Sequence, residues 1–263
     1  MKDKKKTLLW EIGKEGSPGP SFVFGTMHVQ DQRAFTFREQ AYERIAECGL
    51  MALEFDLGEA PVGMDPALVR LPDGMTLTQL IPAKKFQKIR RVFQKVAGLD
   101  ITNLQHFSPM LVSNIINERI LSQDMPVSLD EHLWKYAQNL GKPIVGIESY
   151  HEQLAILEQI PLDYQVQALV AMGQHISRHR RQLLRMTEIY QEGDISKLYR
   201  SARRSASGLR QLLLYRRNRI MADRIAELAM EHRVFCAIGA GHLAGGKGVL
   251  RYLKREGWRV KPG

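Results

Sequence analysis

The chain has 263 residues, 44% hydrophobic and 25% charged, with 38 Lys and Arg against 28 Asp and Glu for a net charge of +10. With no low-complexity tract, this composition excludes a disordered chain and suffices to bury a substantial core. No apolar run approaches the ~20 residues of a membrane-spanning helix, and the apolar "TLLW" behind the basic start is too short for a signal-peptide core, so the chain as given reads as cytoplasmic. A leader trimmed from it would instead make it an exported or cell-envelope protein.

In chain order, "TLLWEIGK" predicts an antiparallel edge strand, turned by "GSPGP" into a second strand at Ser21–Phe24. Strands follow at Leu50–Phe55, Pro143–Ile147 and Val234–Ile238, each short and closed by Gly or a polar residue. Helices are expected at Phe37–Cys48, Pro82–Val96, Pro109–Glu118, Leu129–Leu140 and Tyr150–Glu158, then over 163–191, 194–230 and 244–256. Strands alternating with helices predict an α/β fold, a mainly parallel central sheet flanked by helices. No linker divides the chain, so it reads as a single domain over 1–263, with a helical elaboration at roughly 150–230 before the last core strand. Cys48 and Cys236 are too far apart for a zinc knuckle and read as buried free thiols.

One phrase occurs twice. "SFVFGTMHV" (21–29) and "FCAIGAGHL" (235–243) each place Gly-x-x-His after a short apolar run. The two glycines are expected to let the backbone turn sharply at each strand end and bring a histidine back over the sheet. Ligands of α/β sheets bind beyond the carboxyl ends of the strands, and His28, Glu54, Glu148 and His242 all fall there. In "LMALEFDL", strand alternation sets Glu54 and Asp56 on one side, where a like charge would raise the pKa of either. Plainer roles exist for each: a cap or a satisfied core histidine for His28 and His242, a turn cap for Glu54, a helix N-terminus for Glu148. Two imidazoles and a carboxylate suit a divalent metal with an open position. The same trio could also work without metal, with Glu54 as general base and the histidines steadying an oxyanion.

Several patterns are set aside. Gly239-x-Gly241-x-x-Ala244 resembles a dinucleotide fingerprint, but only nineteen residues follow Ala244, too few for a next strand bearing a ribose-binding acid, and Gly248 stands where a phosphate-binding loop needs Ser or Thr. No nucleotide is expected. His175 and His179 share a helix face, but the arginines crowding them oppose a cation. Between Arg178 and Arg219 twelve Lys or Arg face three acids. Interleaved with leucines and lacking an aromatic platform, this stretch reads as a solvated helix face: nucleic acid is not expected, and membrane contact through 178–219 is the lesser alternative.

The segments "LLWEI…SFVFGTMHVQDQRAF", "ALEFDL", "LDEHLWKYAQNLGKPIVGIESYHEQLAIL" and "YRRNRIMADRIAEL…VFCAIGAGHLAGGKGVLRYLKREGWRV" resemble the TraB/PrgY/GumN family, which is related to the animal Tiki proteins, from about Leu8 to Val260. The resemblance implies an erythromycin-esterase/ChaN-like α/β fold and a peptidase centre dependent on a divalent metal such as Mn, Co or Zn. It carries catalytic and metal-ligating roles onto His28, Glu54 and His242. Its Glu-Arg-Asn signature falls on Arg216, Arg217 and Asn218, so arginine replaces the acid at 216, which weakens the metal reading if that acid balances a cation. Glu148, Gln153, Arg217, Asn218 and Asp56 are the substrate-binding candidates. The expected partner is a peptide; the alternative is a non-catalytic protein that captures a peptide, metal or haem ligand in the same cleft.

Overall fold

A computed structural model describes residues 6–58 and 69–263. The chain forms two compact units, one built from residues 1–59, 124–150 and 186–263, the other from 60–123 and 151–185.

The first unit carries a six-stranded sheet. Its strands are β1 (Leu9–Gly13), β2 (Ser21–Thr26), β3 (Leu50–Leu53), β4 (Ile144–Gly146), β5 (Val234–Gly239) and β6 (Arg259–Pro262), in the spatial order β4-β3-β5-β2-β1-β6. The pairs β4–β3, β3–β5 and β5–β2 are parallel; β2–β1 and β1–β6 are antiparallel. The sheet is therefore mixed rather than mainly parallel. The expected hairpin is present, but β6 was not anticipated, because "RVKP" has only one apolar side chain before its proline and is itself the edge strand, pairing solely with β1.

Alternation along the buried strands splits the core over two faces. Phe22, Phe24, Met51, Leu53, Phe235 and Ala237 pack on one side with Tyr190 and the helix Leu129–Asn139. On the other side, Val23, Ala52, Cys236 and Ile238 meet Met221, Ala222, Ile225 and Ala229 of the helix Arg216–Glu231. A strand covered on both faces has no polar side, so short apolar runs are the signal such strands leave. Both cysteines are free and buried, and burial pushes the Cys48 thiol up to about 11 and that of Cys236 higher still.

The second unit is helical. Its core gathers Phe86, Ile89 and Phe93 of the helix Ala83–Ala97 with Val112 and Ile116 of Pro109–Ile120 and Leu169 of Leu162–Gln174. The long pattern over 163–191 resolves into Leu162–Gln174 and Ile176–Gln191, broken at His175. Likewise 194–230 is interrupted: Ile195–Ser205 gives way to a 3-10 turn and a π-helical turn at Gln211–Tyr215 before Arg216–Glu231 begins. That π turn ends two residues before Arg217, and such turns recur at functional sites. Toward the C-terminus, the helix is the short Val249–Arg255. The helical unit thus draws on two chain segments, neither of them coextensive with 150–230.

Candidate functional site

Backbone pairing past the ends of two parallel strands delivers the two site glutamates together. Leu53 and Gly146 are register partners. One residue further, the Ile147 N–H donates to the Leu53 carbonyl at 2.7 Å and the Glu148 N–H to the Glu54 carbonyl at 2.8 Å. Because β3 stops at Leu53, the alternation expected to pair Glu54 with Asp56 no longer applies. Asp56 instead accepts from the Gly58 N–H at 2.8 Å and the Trp134 indole N–H at 3.1 Å, which makes it a turn cap.

Arg217, in the first turn of the helix Arg216–Glu231, bridges the carboxylates. Its Nε donates to Glu148 Oε1 and Oε2 at 3.0 and 3.1 Å, and its Nη2 donates to both Glu148 and Glu54. Glu148 is 2% exposed, Arg217 14% and Glu54 24%. The other Glu54 oxygen accepts from the Gly239 N–H at 3.0 Å. Burial opposes ionisation of Glu54, but Arg217, His242 and the Gly239 N–H outweigh it and hold its carboxyl at about 2. The guanidinium is likewise held above its ordinary value: burial acts against its charge, and the two carboxylates more than compensate. Arg216 beside it is exposed, so the cation within this cluster is Arg217.

His242 is set by a chain of side-chain bonds. The Asn218 amide nitrogen donates to the Lys247 carbonyl at 2.6 Å, leaving its oxygen to face His242 Nδ1 at 2.5 Å. That oxygen can only accept, so Nδ1 carries the proton and Nε2 keeps its lone pair. Burial is the main force lowering the His242 pKa to about 4; Glu54 works the other way and Arg217 adds to the lowering. Glu54 and His242 both lie over Gly239, where a Cβ would come within 3.3 Å of Glu54 Oε2 and of His242 Cδ2.

The motif glycines act through this closeness. Neither Gly25 nor Gly239 has a positive φ, so the sharp glycine turn is not how the motifs work. A Cβ on Gly25 would lie 2.6 Å from Leu243 Cδ1 and 3.0 Å from the Ala240 Cβ. Glycine is needed there because the second motif packs onto the first.

His28 and His242 leave neighbouring strand ends, since Thr26 of β2 is the register partner of Gly239 of β5. Their surroundings differ. His242 is buried, whereas the His28 side chain is 57% exposed and its Nδ1 is 3.5 Å from Asp130 Oδ2. Among the described residues, no three His, Cys, Asp or Glu side chains are grouped closely enough to hold a metal ion. Gln153 lies on the helix Tyr150–Glu158 of the second unit. Of the set-aside pair, His179 contacts Asn117 Oδ1 at 2.6 Å and burial lowers its pKa.

Sequence reasoning missed the Gly239 N–H, the Lys247 carbonyl and the Asp130 and Trp134 partners. Only Gly239, inside a repeated motif, carried any signal.

Residues 8–262 match the model of the TraB/PrgY/gumN family. The chain is 24% identical to metalloprotease TIKI2 of Danio rerio, over 97% of this chain and 60% of that protein. It is 24% identical to human metalloprotease TIKI1 and 25% to the metalloprotease TIKI homolog of Amphimedon queenslandica, in each case over 97% of this chain and 61% of the relative. The chain thus spans about three fifths of the length of these relatives. No solved structure matches it. Among the described residues, no helix is long and apolar enough to cross a membrane.

Proposed function

The chain belongs to the TraB/PrgY/gumN family, and from that premise we propose that it is a metalloprotease-like hydrolase of peptides whose reacting groups are His242, Glu54 and His28. The observation that carries this reading is the state of the first two. His242 offers an Nε2 lone pair beside the Glu54 carboxylate, and with pKa values of about 4 and 2 both stay unprotonated at neutral pH. Groups so acidic are weak proton acceptors but good cation ligands, because no proton competes for the lone pair. The donor chemistry of His242 and Glu54 therefore suits a divalent cation; His28, exposed at the adjoining strand end and not grouped with them in this structure, would have to swing in as third ligand. When bound, such a cation supplies an acidified water and a polarised carbonyl.

The remaining groups support these. Asn218 fixes the His242 tautomer, as hydrogen-bonding partners of metal-ligating histidines do. Arg217 keeps Glu54 ionised and in place, and Glu148 anchors Arg217. Glu148 is committed to that pairing and Asp56 to its turn, so the two are scaffold rather than substrate contacts. We further read the sheet as erythromycin-esterase/ChaN-like and both units as one family domain, because the family match runs through both.

The test loads purified protein with Mn²⁺, Co²⁺ or Zn²⁺, removes excess, and measures metal content and cleavage of a peptide library for wild type, His242→Ala, His28→Ala and Glu54→Gln. Stoichiometric metal and cleavage in wild type, both lost in His242→Ala, are expected. Equal metal in all four proteins would remove the metal-centred reading. Peptide binding without turnover in wild type would replace catalysis with capture.

A further inference from the structure

Three basic stretches far apart in the sequence meet at one cavity of the first unit. It has a volume of about 800 Å³ and is lined by Lys6, Arg200, Arg251, Lys254 and Lys261 with a single acid, Asp194. Asp194 is already engaged: its side chain caps the helix Ile195–Ser205 through the Lys197 N–H at 3.0 Å and pairs with Lys197 Nζ at 3.4 Å. Lys6 faces Glu192 at 3.6 Å and Lys261 faces Glu11 at 3.1 Å. Arg200, Arg251 and Lys254 have no ion-pair partner among the described residues. The cavity also has apolar lining from Trp10, Leu243, Leu250 and Val260, and the Trp10 Nε1–H is buried without an acceptor among the described residues.

Its place in the sheet links it to the proposed reaction centre. β1 runs antiparallel to β2 with Leu9 opposite Phe24, and Trp10 of β1 pairs with Pro262 of β6. The start of β1 and the end of β6 therefore lie at the same end of the sheet as Thr26 and Gly239. The cavity wall includes Leu243, Ala244 and Gly245, the three residues directly after His242. β1 stands two strands from β5, a spacing of ~10 Å that roughly three extended peptide residues cover.

We infer that this cavity is a substrate subsite, binding an acidic residue flanked by apolar ones about three to four positions from the bond that is cut. The inference rests on the peptide reading above. Uncompensated cations over an apolar lining select a carboxylate carried on an apolar segment, through charge complementarity that acts on specificity more than on bulk affinity. A nucleic acid would need a run of stacking faces, and Trp10 is the only aromatic residue lining the cavity.

The experiment uses two labelled peptides, identical except that Asp and Glu in one are Asn and Gln in the other. Their affinities are compared by anisotropy on wild type, His242→Ala and the combined Arg200→Gln, Arg251→Gln, Lys254→Gln variant, with the three single variants in reserve should the combination misfold. The acidic peptide is expected to bind about tenfold tighter, with the advantage shrinking in salt and falling to about twofold or less in the combined variant. His242→Ala should keep the preference. Equal affinity for both peptides, a preference that survives loss of the three cations, or tighter binding to phosphatidylserine vesicles than to the acidic peptide would each overturn the subsite. If the acidic preference holds but wild type cuts neither peptide, the hydrolase reading fails and the subsite stands.

Discussion

The two Gly-x-x-His motifs are nearly the same phrase, and the fold treats them in opposite ways. The second is buried: His242 is gripped by Asn218, its tautomer is set, and it lies over the same glycine as Glu54. The first ends in an exposed His28 whose described ion-pair partner is Asp130, while its glycine serves as the floor on which Ala240 and Leu243 rest. A repeated motif thus divides into one half held by buried contacts and one half that is exposed.

The largest disturbance should come from the cation beneath the buried half. Arg217→Ala leaves two buried or half-buried carboxylates without their counter-ion, and about 3–5 kcal/mol of stability should be lost, read from urea denaturation midpoints. A loss below about 1 kcal/mol would mean that the cluster is solvated and the buried half is not rigid.

Next is acid. The His242 pKa falls from 6.5 to about 4 on folding, so its neutral form stabilises the native state fully above pH 6.5, and that contribution, on the order of 3 kcal/mol, is lost as pH falls through 4. Glu54, lowered from 4.5 to about 2, works in the same direction: its contribution is present above 4.5 and disappears as pH falls through 2. Stability of wild type should decline from pH 6.5 downward, and His242→Asn should flatten the upper part of that decline.

The glycines sharpen the contrast further. Gly25→Ala should cost about 1–3 kcal/mol, because its Cβ would meet Leu243 and Ala240 inside the core. Gly239→Ala meets only Glu54 and His242 at 3.3 Å, so it should lower metal affinity more than melting temperature. Reversal of that order would show that the second motif is not held by its contacts.

Smallest are the partners of the rings. Asn218→Leu frees the His242 tautomer and should reduce metal affinity roughly 10–100-fold, with a modest drop in stability. Asp130→Asn touches a pair whose histidine is exposed and whose carboxylate is largely buried, at a separation of 3.5 Å, and should change stability by about 1 kcal/mol or less. Comparable metal loss in both variants would make the two histidines equivalent after all.

Much of this was readable in the residues. Short apolar runs ending in Gly or a polar group located β2 to β5, because buried parallel strands carry no competing polar period. The same runs pointed to His28, Glu54, Glu148 and His242 as strand-end groups. Asp56 was misplaced because alternation was extended three residues past the end of β3, where the backbone bends. The antiparallel β1–β2 hairpin was legible, but the second antiparallel pairing was missed because β6 pairs only with β1 and has little apolar signature. Family resemblance, rather than periodicity, supplied Arg217 and Asn218.

By itself, the sequence determined which side chains stand at the carboxyl edge of the sheet, since hydrophobic period and strand length are local properties that burial enforces. Only the tertiary structure decided what those side chains do to each other. It put Arg217 between Glu54 and Glu148, turned the His242 lone pair away from Asn218, and packed Gly25 under Ala240 and Leu243. It also drew Arg200, Arg251 and Lys254 around one cavity. Those outcomes depend on contacts between residues up to about two hundred positions apart, and no local pattern encodes the distance between such groups or the water excluded from between them.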